Sequence, residues 1–313
     1  MSYSQRVEQL HRYQYAANVT MVAQQMKNPL LPAVTIVPAT GEAQSVSELV
    51  AQLDYTRGEA RTRRNVENPI SASRRWVTYD VTNEVKSGQY LDREDKFKMA
   101  SDPTSTVVRA HTGAVTRGYM DNLLGCEKDG SGSFAITRGG IYGIAREGKT
   151  PGAGTPLPPS QYLTEDANGL NLDKLIAAVE MLHLADFGID SDLDPLYALI
   201  SPKQKSDLLR IAAAPTAGNI NAFDVRQLES GKPTPLMGVN WIMTNRVPKS
   251  ATGKRLVAVW SKANIVGGEY EAINGDMWND TSADNLPYAR VRANVDAVRA
   301  QDKGVVVIPC TET

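Results

Sequence analysis

Cysteine is nearly absent: Cys126 and Cys310 are the only two in 313 residues, and no paired spacing joins them. That excludes a disulfide framework and reads as two small buried thiols in a reducing compartment. Long apolar runs are lacking as well. No stretch approaches the roughly 18 residues of a membrane helix, and the opening MSYSQRVEQLHRYQ has no apolar signal core. The expectation is a soluble, cytosol-made protein with no membrane partner. Surplus charge is missing too, because 34 Lys and Arg face 35 Asp and Glu, a net charge of −1. Proteins that grip nucleic acid draw affinity from uncompensated Lys and Arg, so that role is disfavoured. Histidine is scarce, with His11, His111 and His183 on three expected helices and no pair at metal spacing. Aromatics make up only 6%. Lysine does not occur between Lys27 and Lys86.

What is present is enough for a real core. The chain is 42% hydrophobic, and its length suits two lobes or one large domain with appendages. Against that background one segment stands out. Residues 54–75 carry Arg57, Arg61, Arg63, Arg64, Arg74 and Arg75 against Asp54, Glu59 and Glu67, with only Tyr55, Val66 and Ile70 as large apolar side chains. Residues 76–95 reverse the sign, with Asp80, Glu84, Asp92, Glu94 and Asp95 against Lys86 and Arg93. A segment this polar cannot bury enough of itself to offset the entropy of ordering. It is either disordered or ordered by another molecule.

The rest of the chain reads as mixed helix and strand. Residues 4–26 carry a thin apolar stripe of helical period, stopped by Asn28-Pro29. A short strand is expected at 33–37. Asp102-Pro103 is an N-cap followed by proline at the first helical position, and it opens a helix over 103–124. Residues 130–160 hold eight Gly and four Pro, which predicts strands and loops. An amphipathic helix is expected at 171–187, a buried strand at 195–200, and a second cap-plus-proline start at Ser201-Pro202. Strands follow at 239–244, 255–265, 288–295 and 304–308. The order lacks the regular alternation of a doubly wound sheet, so the class is α+β.

Motifs that suggest chemistry fail in context. Gly143 to Thr150 matches G-x-x-x-x-G-K-[ST]. A phosphate cradle needs a helix starting at Lys149-Thr150, and the Pro-Gly-rich continuation cannot sustain one. Gly130-Ser-Gly132-Ser-Phe-Ala135 resembles a dinucleotide fingerprint but runs into strand-like Ile136-Thr137. Asp190-Ser-Asp192-Leu-Asp194 opens like a calcium loop, yet Pro195 stands where Gly is required and Ser201 where a bidentate Glu is needed. His111 lies on an apolar stripe and reads as a satisfied, partly buried core histidine. No catalytic, cofactor-binding or metal-binding residue is assigned.

The arrangement itself resembles a family. The charged loop closing at Leu91-Asp-Arg-Glu-Asp-Lys-Phe-Lys precedes Asp102-Pro-Thr-Ser at a helix start. Leu199-Ile-Ser-Pro-Lys-Gln-Lys-Ser-Asp-Leu-Leu, Leu236-Met-Gly-Val-Asn-Trp-Ile and the tail 288–308 follow in order. Together they are similar to the major capsid protein of tailed bacteriophages, of the Hong Kong 97-type fold. The resemblance implies an N-terminal arm at 1–42 and an extended two-stranded loop at 43–90. It implies a peripheral domain at 91–167 and 265–300, built on a long spine helix opened by Asp102 and Pro103. An axial domain at 168–264 and 301–313 completes the chain.

The implied partners are further copies of the chain, in pentameric and hexameric capsomers of an icosahedral shell that encloses double-stranded DNA without sequence-specific binding. Separate scaffold, portal and decoration proteins are further implied partners. The implied location is the virion, after synthesis in the host cytoplasm. Inter-subunit contacts are expected at Arg57, Arg61, Arg63, Arg64, Arg74, Arg75, Asp80 and Glu84. Some relatives weld subunits by an isopeptide bond from a loop lysine; a lysine-free loop tip here implies contact without a covalent link. With an arm of this length the expectation is a separate scaffold or none, and not a built-in one. Two alternatives stay open: an encapsulin-like compartment shell, and a P-loop nucleotide hydrolase using Lys149 and Thr150.

Overall fold

The computed structural model describes residues 27–40, 44–50, 74–80, 84–90, 104–128, 134–137, 139–143, 156–213, 235, 238–283 and 285–312. The expected N-terminal helix at 4–26 lies outside them. The first helix, α1 (Thr104–Leu124), buries Val115, Tyr119, Met120, Leu123 and Leu124, a spacing of three to five residues that keeps one face inward. Gly118 interrupts this face and costs about 1 kcal/mol relative to Ala in a helix interior. Its reason is contact: any Cβ there would collide with Val85 of strand β4 (Glu84–Tyr90). The helix stops at Gly125, which takes a positive φ of 79° and donates its N–H to Asp121 O at 2.9 Å.

Helix α1 lies on a four-stranded sheet of order β1–β10–β11–β4. Strand β1 (Thr35–Pro38) runs parallel to β10 (Ile265–Asp280), which forms a long antiparallel hairpin with β11 (Leu286–Arg299). Alternation decides which face meets the helix. Ala289, Val291, Ala293 and Val295 are buried, whereas Tyr288, Arg290 and Arg292 point the other way and stay half-exposed. The pattern at 288–295 marked the middle of β11 but not its length.

The expected single strand at 255–265 is corrected. It is β9 (Arg255–Ser261), a 3₁₀ turn at Lys262–Asn264, and then the start of β10. Asn264 makes the break: buried, it donates to Gln301 O at 2.9 Å and accepts from Gln301 N at 2.8 Å. Apolar patterning did not mark β10 beyond Ile265, because its distal half is exposed and polar, without two-residue alternation; strands over 265–300 were implied by the resemblance alone.

A second sheet has the order β12–β9–β7–β8, from β12 (Val305–Cys310), β7 (Leu196–Ile200) and β8 (Val239–Met243). Strands β7 and β8 are parallel; β9 is antiparallel to both β7 and β12. Helix α2 (Leu172–His183) covers this sheet with Leu175, Ala178, Val179 and Leu182, in one core with Val257, Val306 and Ile308. Each of the larger side chains contributes roughly 1.5–3 kcal/mol by leaving water. Asn171 caps α2, accepting from Lys174 N at 2.9 Å. The helix ends at His183, earlier than the expected 187, because the chain turns through Asp186 at φ 63°. Helix α3 (Pro202–Ala213) starts in a capping box, with Ser201 N donating to Gln204 Oε1 at 3.0 Å and Lys203 N to Ser201 Oγ at 3.3 Å.

Two short pairs complete the fold. Strands β5 (Cys126–Lys128) and β6 (Phe134–Ile136) pair after α1, within the stretch where strands and loops were expected. Strands β2 (Gln44–Val50) and β3 (Arg74–Asp80) form an antiparallel pair in full register, from Gln44 opposite Asp80 to Val50 opposite Arg74. The main core joins α1, the inner face of the first sheet and Trp260, whose indole donates to Ala33 O at 2.9 Å.

Candidate assembly surfaces

The described parts of the 43–90 stretch, residues 44–50, 74–80 and 84–90, are strands. Strands β2 and β3 form a stem, and β4 is the edge strand of the first sheet, paired with β11 from Glu84–Asn294 to Tyr90–Tyr288. The stem is rooted by two residues. Thr78 is fully buried and Tyr79 is 1% exposed, and Tyr270 Oη donates to Tyr79 O at 3.2 Å. Tyr79 belongs to a small core of its own with Ala39, Val266 and Val298.

Strands β10, β11 and β4 present a sheet face on the side away from α1. Trp278, Tyr288 and Tyr90 stand in one row across the three strands. Their ring centroids are 5.0 Å (Trp278–Tyr288) and 4.7 Å (Tyr90–Tyr288) apart. Arg290 lies over Trp278 at 4.7 Å, and the Tyr90 hydroxyl donates to Asp280 Oδ2 at 2.7 Å. Hydrogen bonds from Ser282 and Tyr90 hold the Asp280 carboxyl below the usual carboxylate range. The next row is charged: Arg292 meets Glu271 at 2.9 Å and Arg290 meets Asp276 at 3.6 Å. Such a face offers aromatic area with ion pairs beside it, a composition suited to protein contact. The sequence reading missed it because the rows form only after strands 190 residues apart pair.

Two polar clusters brace the body. Asp121 of α1 faces Arg246, after β8, with Nε–Oδ1 at 2.8 Å, and Arg246 lies over the Phe134 ring at 5.1 Å. Burial pushes the Asp121 carboxyl up to about 7, against the pull of Arg246, Arg117 and Lys128. Near the C-terminus, Glu312 accepts from Arg255 Nε at 3.0 Å, Arg255 Nη2 at 2.9 Å and Ser201 Oγ at 3.1 Å. Burial alone would raise its pKa, but the bonds from Arg255, Ser201 and Gln204 prevail and hold it below the ordinary value.

The sequence-predicted residues divide by location. Arg57, Arg61, Arg63, Arg64, Asp102 and Pro103 lie outside the described residues, as do 144–150 of the phosphate-loop pattern. Arg74, Arg75 and Asp80 lie on β3, and Glu84 is exposed at the start of β4. His111 is half-buried and shares a 2.8 Å hydrogen bond with Ser87 Oγ, a satisfied core histidine. Asp194 is a structural acceptor, taking bonds from Ser261 Oγ at 2.5 Å, Gly188 N at 3.0 Å and Ala263 N at 3.2 Å. Cys126 and Cys310 are free and buried, and burial pushes the Cys310 thiol up to about 12 and Cys126 higher still. Neither is poised as a nucleophile at neutral pH.

Comparison with known proteins agrees with this architecture. No curated protein matches the chain. The fold is similar to that of the native GTA particle capsid (12% identity, TM-score 0.64, covering 94% of this chain and 92% of that one). It is similar also to the capsid of cyanophage P-SCSP1u (10% identity, TM-score 0.62, 94% and 91%). The Mycobacterium phage Cain structure matches at 13% identity and TM-score 0.59, over 95% and 94%. The architecture is thus the α+β fold of phage capsids, as the Hong Kong 97-type resemblance implies. A profile described as phage capsid protein matches residues 7–312, and on that near-complete match the chain belongs to the phage capsid protein family.

Proposed function

We propose that copies of this major capsid protein assemble as pentameric and hexameric capsomers into an icosahedral shell enclosing double-stranded DNA. The observation that carries the reading is the family match across residues 7–312. The role is structural and not catalytic, and the protein resides in the virion after synthesis in the host cytoplasm. Separate scaffold, portal and decoration proteins are its further partners. The wall holds DNA by closure, so a net charge of −1 suffices.

In this reading residues 1–42 are the arm and 43–90 the extended loop, supported by the β2–β3 stem. Residues 91–167 with 265–300 form the peripheral domain, supported by α1 on the first sheet. Residues 168–264 with 301–313 form the axial domain, supported by α2 over the second sheet. Asp102 and Pro103 open the spine helix. Arg57, Arg61, Arg63, Arg64, Arg74 and Arg75 meet carboxylates of a neighbouring copy, while Asp80 and Glu84 receive its cations. Each exposed pair is worth about 0–1 kcal/mol, but a closed shell repeats it many times.

Electron microscopy of the purified protein tests this. Hollow shells containing nucleic acid are the expected result. A stable monodisperse monomer would overturn the reading, and shells filled with a cargo protein would replace it with a compartment.

A further inference from the structure

The stem of the extended loop meets the body at a contact that only glycine permits. The Tyr79 ring lies flat against Gly268 of β10, where a Cβ would come to 2.6 Å from Cγ and 2.8 and 2.9 Å from the two Cδ atoms. No real side chain tolerates such distances, so residue 268 is a socket for the ring. The φ of Gly268 is not positive, so backbone freedom does not explain the glycine; the ring does. The core around it is small and separate from the two main ones. Ala39, Val266 and Val298 are its other buried members, with Val37 and Tyr270 at its edge.

The next residue ties this socket to the rest of the molecule. The Glu269 carbonyl accepts from Ala39 N at 2.9 Å, where the chain leaves β1. The Glu269 carboxylate accepts from Tyr119 Oη of α1 at 3.0 Å. The β10–β11 register also shifts there, between Glu269 and Glu271. The loop stem, the exit from β1 and helix α1 therefore share two consecutive residues at a bulge, where a strand bends and twists most.

We propose that the Tyr79–Gly268 socket fixes the angle at which the extended loop leaves the body, and through that angle selects the diameter of the shell. The proposal rests on the shell reading above. Leverage makes a small root decisive. From Tyr79 to Arg74 at the far end of β3, five residues span roughly 17 Å at about 3.3 Å per residue, so a tilt of about 10° moves that end by about 3 Å. That displacement is as large as a hydrogen-bond length, enough to break a hydrogen bond to a neighbouring copy. Main-core packing stays intact, because Tyr79 and Gly268 belong to neither large cluster.

A double-mutant cycle tests the proposal with two readouts, shell diameter by electron microscopy and amide exchange of the free subunit. Gly268→Ala overpacks the socket, and overpacking of this kind lowers the yield of wild-type-diameter shells by about tenfold or more. Amides of residues 74–80 exchange at least about tenfold faster, while those of α1 are unchanged. In a Tyr79→Ala background the same alanine adds no further effect, because the ring it displaces is gone. Tyr270→Phe, which removes only the hydrogen bond to Tyr79 O, shifts both readouts in the same direction by less, and serves if Gly268→Ala does not fold. Wild-type diameter, yield and exchange in Gly268→Ala would overturn the proposal, as would an equal effect of the alanine in both backgrounds. If the unaltered protein forms no shells, the shell reading fails, and the socket's hold on the stem is still judged by the exchange rates.

Discussion

Asp121 is the described carboxylate whose chemistry departs furthest from its type. Its side chain, 12% exposed, faces Arg246, with Arg117 on its own helix and Glu127 and Lys128 on β5 nearby. Burial raises its pKa to about 7, so the folded state holds this proton to a higher pH than the unfolded chain does. The stability it contributes is complete below the ordinary carboxylate value near 4 and is lost as pH rises towards about 7. Thermal melting between pH 4 and pH 8 should show the wild type losing stability more steeply than Asp121→Asn, and equal slopes would refute the assignment. Nothing in the sequence marks Asp121, because Arg246 lies 125 positions away and only the fold brings them together. Ser201 is the opposite case. Its capping role was legible from Ser-Pro alone, since a cap is made by residues within one turn.

At the scale of elements, helix ends decide where the fold turns. Gly125 terminates α1 with φ 79°, and a Cβ there would strike the Gly139 carbonyl. Gly253 has a similar φ of 80°, but a Cβ at that site meets nothing within 4 Å. Gly253→Ala should therefore cost only the left-handed backbone penalty, roughly 1–2 kcal/mol. Gly125→Ala should cost clearly more, because it adds a clash with main chain that cannot give way. Urea denaturation of the two variants measures the difference, and equal midpoints would show the Gly139 contact to be unimportant. Element reading from sequence succeeded where apolar periodicity is strong, as at α2, β7 and β12. It failed at β10, whose outer half is exposed and whose partners β1 and β11 are chosen by tertiary pairing. It also read the extended loop by composition alone, without seeing that β4 joins a sheet or that Tyr79 anchors β3.

At the scale of the whole molecule, the lysine-free interval between Lys27 and Lys86 constrains how subunits hold together. Arginine stays protonated and is a poor nucleophile, so an isopeptide bond cannot start from the loop tip. We expect mature particles to run as a single monomer band on a denaturing gel, with any reinforcement through this loop lost on unfolding. A ladder of linked subunits mapped to residues 51–73 would contradict it. Under the proposed non-covalent contacts, geometry carries more weight, and the proposed angle at Gly268 would then matter more than the strength of any one ion pair.

Local patterning by itself determined the α+β class, the helix start at Ser201-Pro202, the two buried thiols and the unusual polarity of residues 54–95. These depend on interactions within a few residues, or on composition, and both are written along the chain. The tertiary structure alone decided the aromatic row of Trp278, Tyr288 and Tyr90, the Asp121–Arg246 pair and the socket at Gly268. Each of these joins residues far apart in sequence, whose proximity depends on strand register and helix packing and on no local propensity.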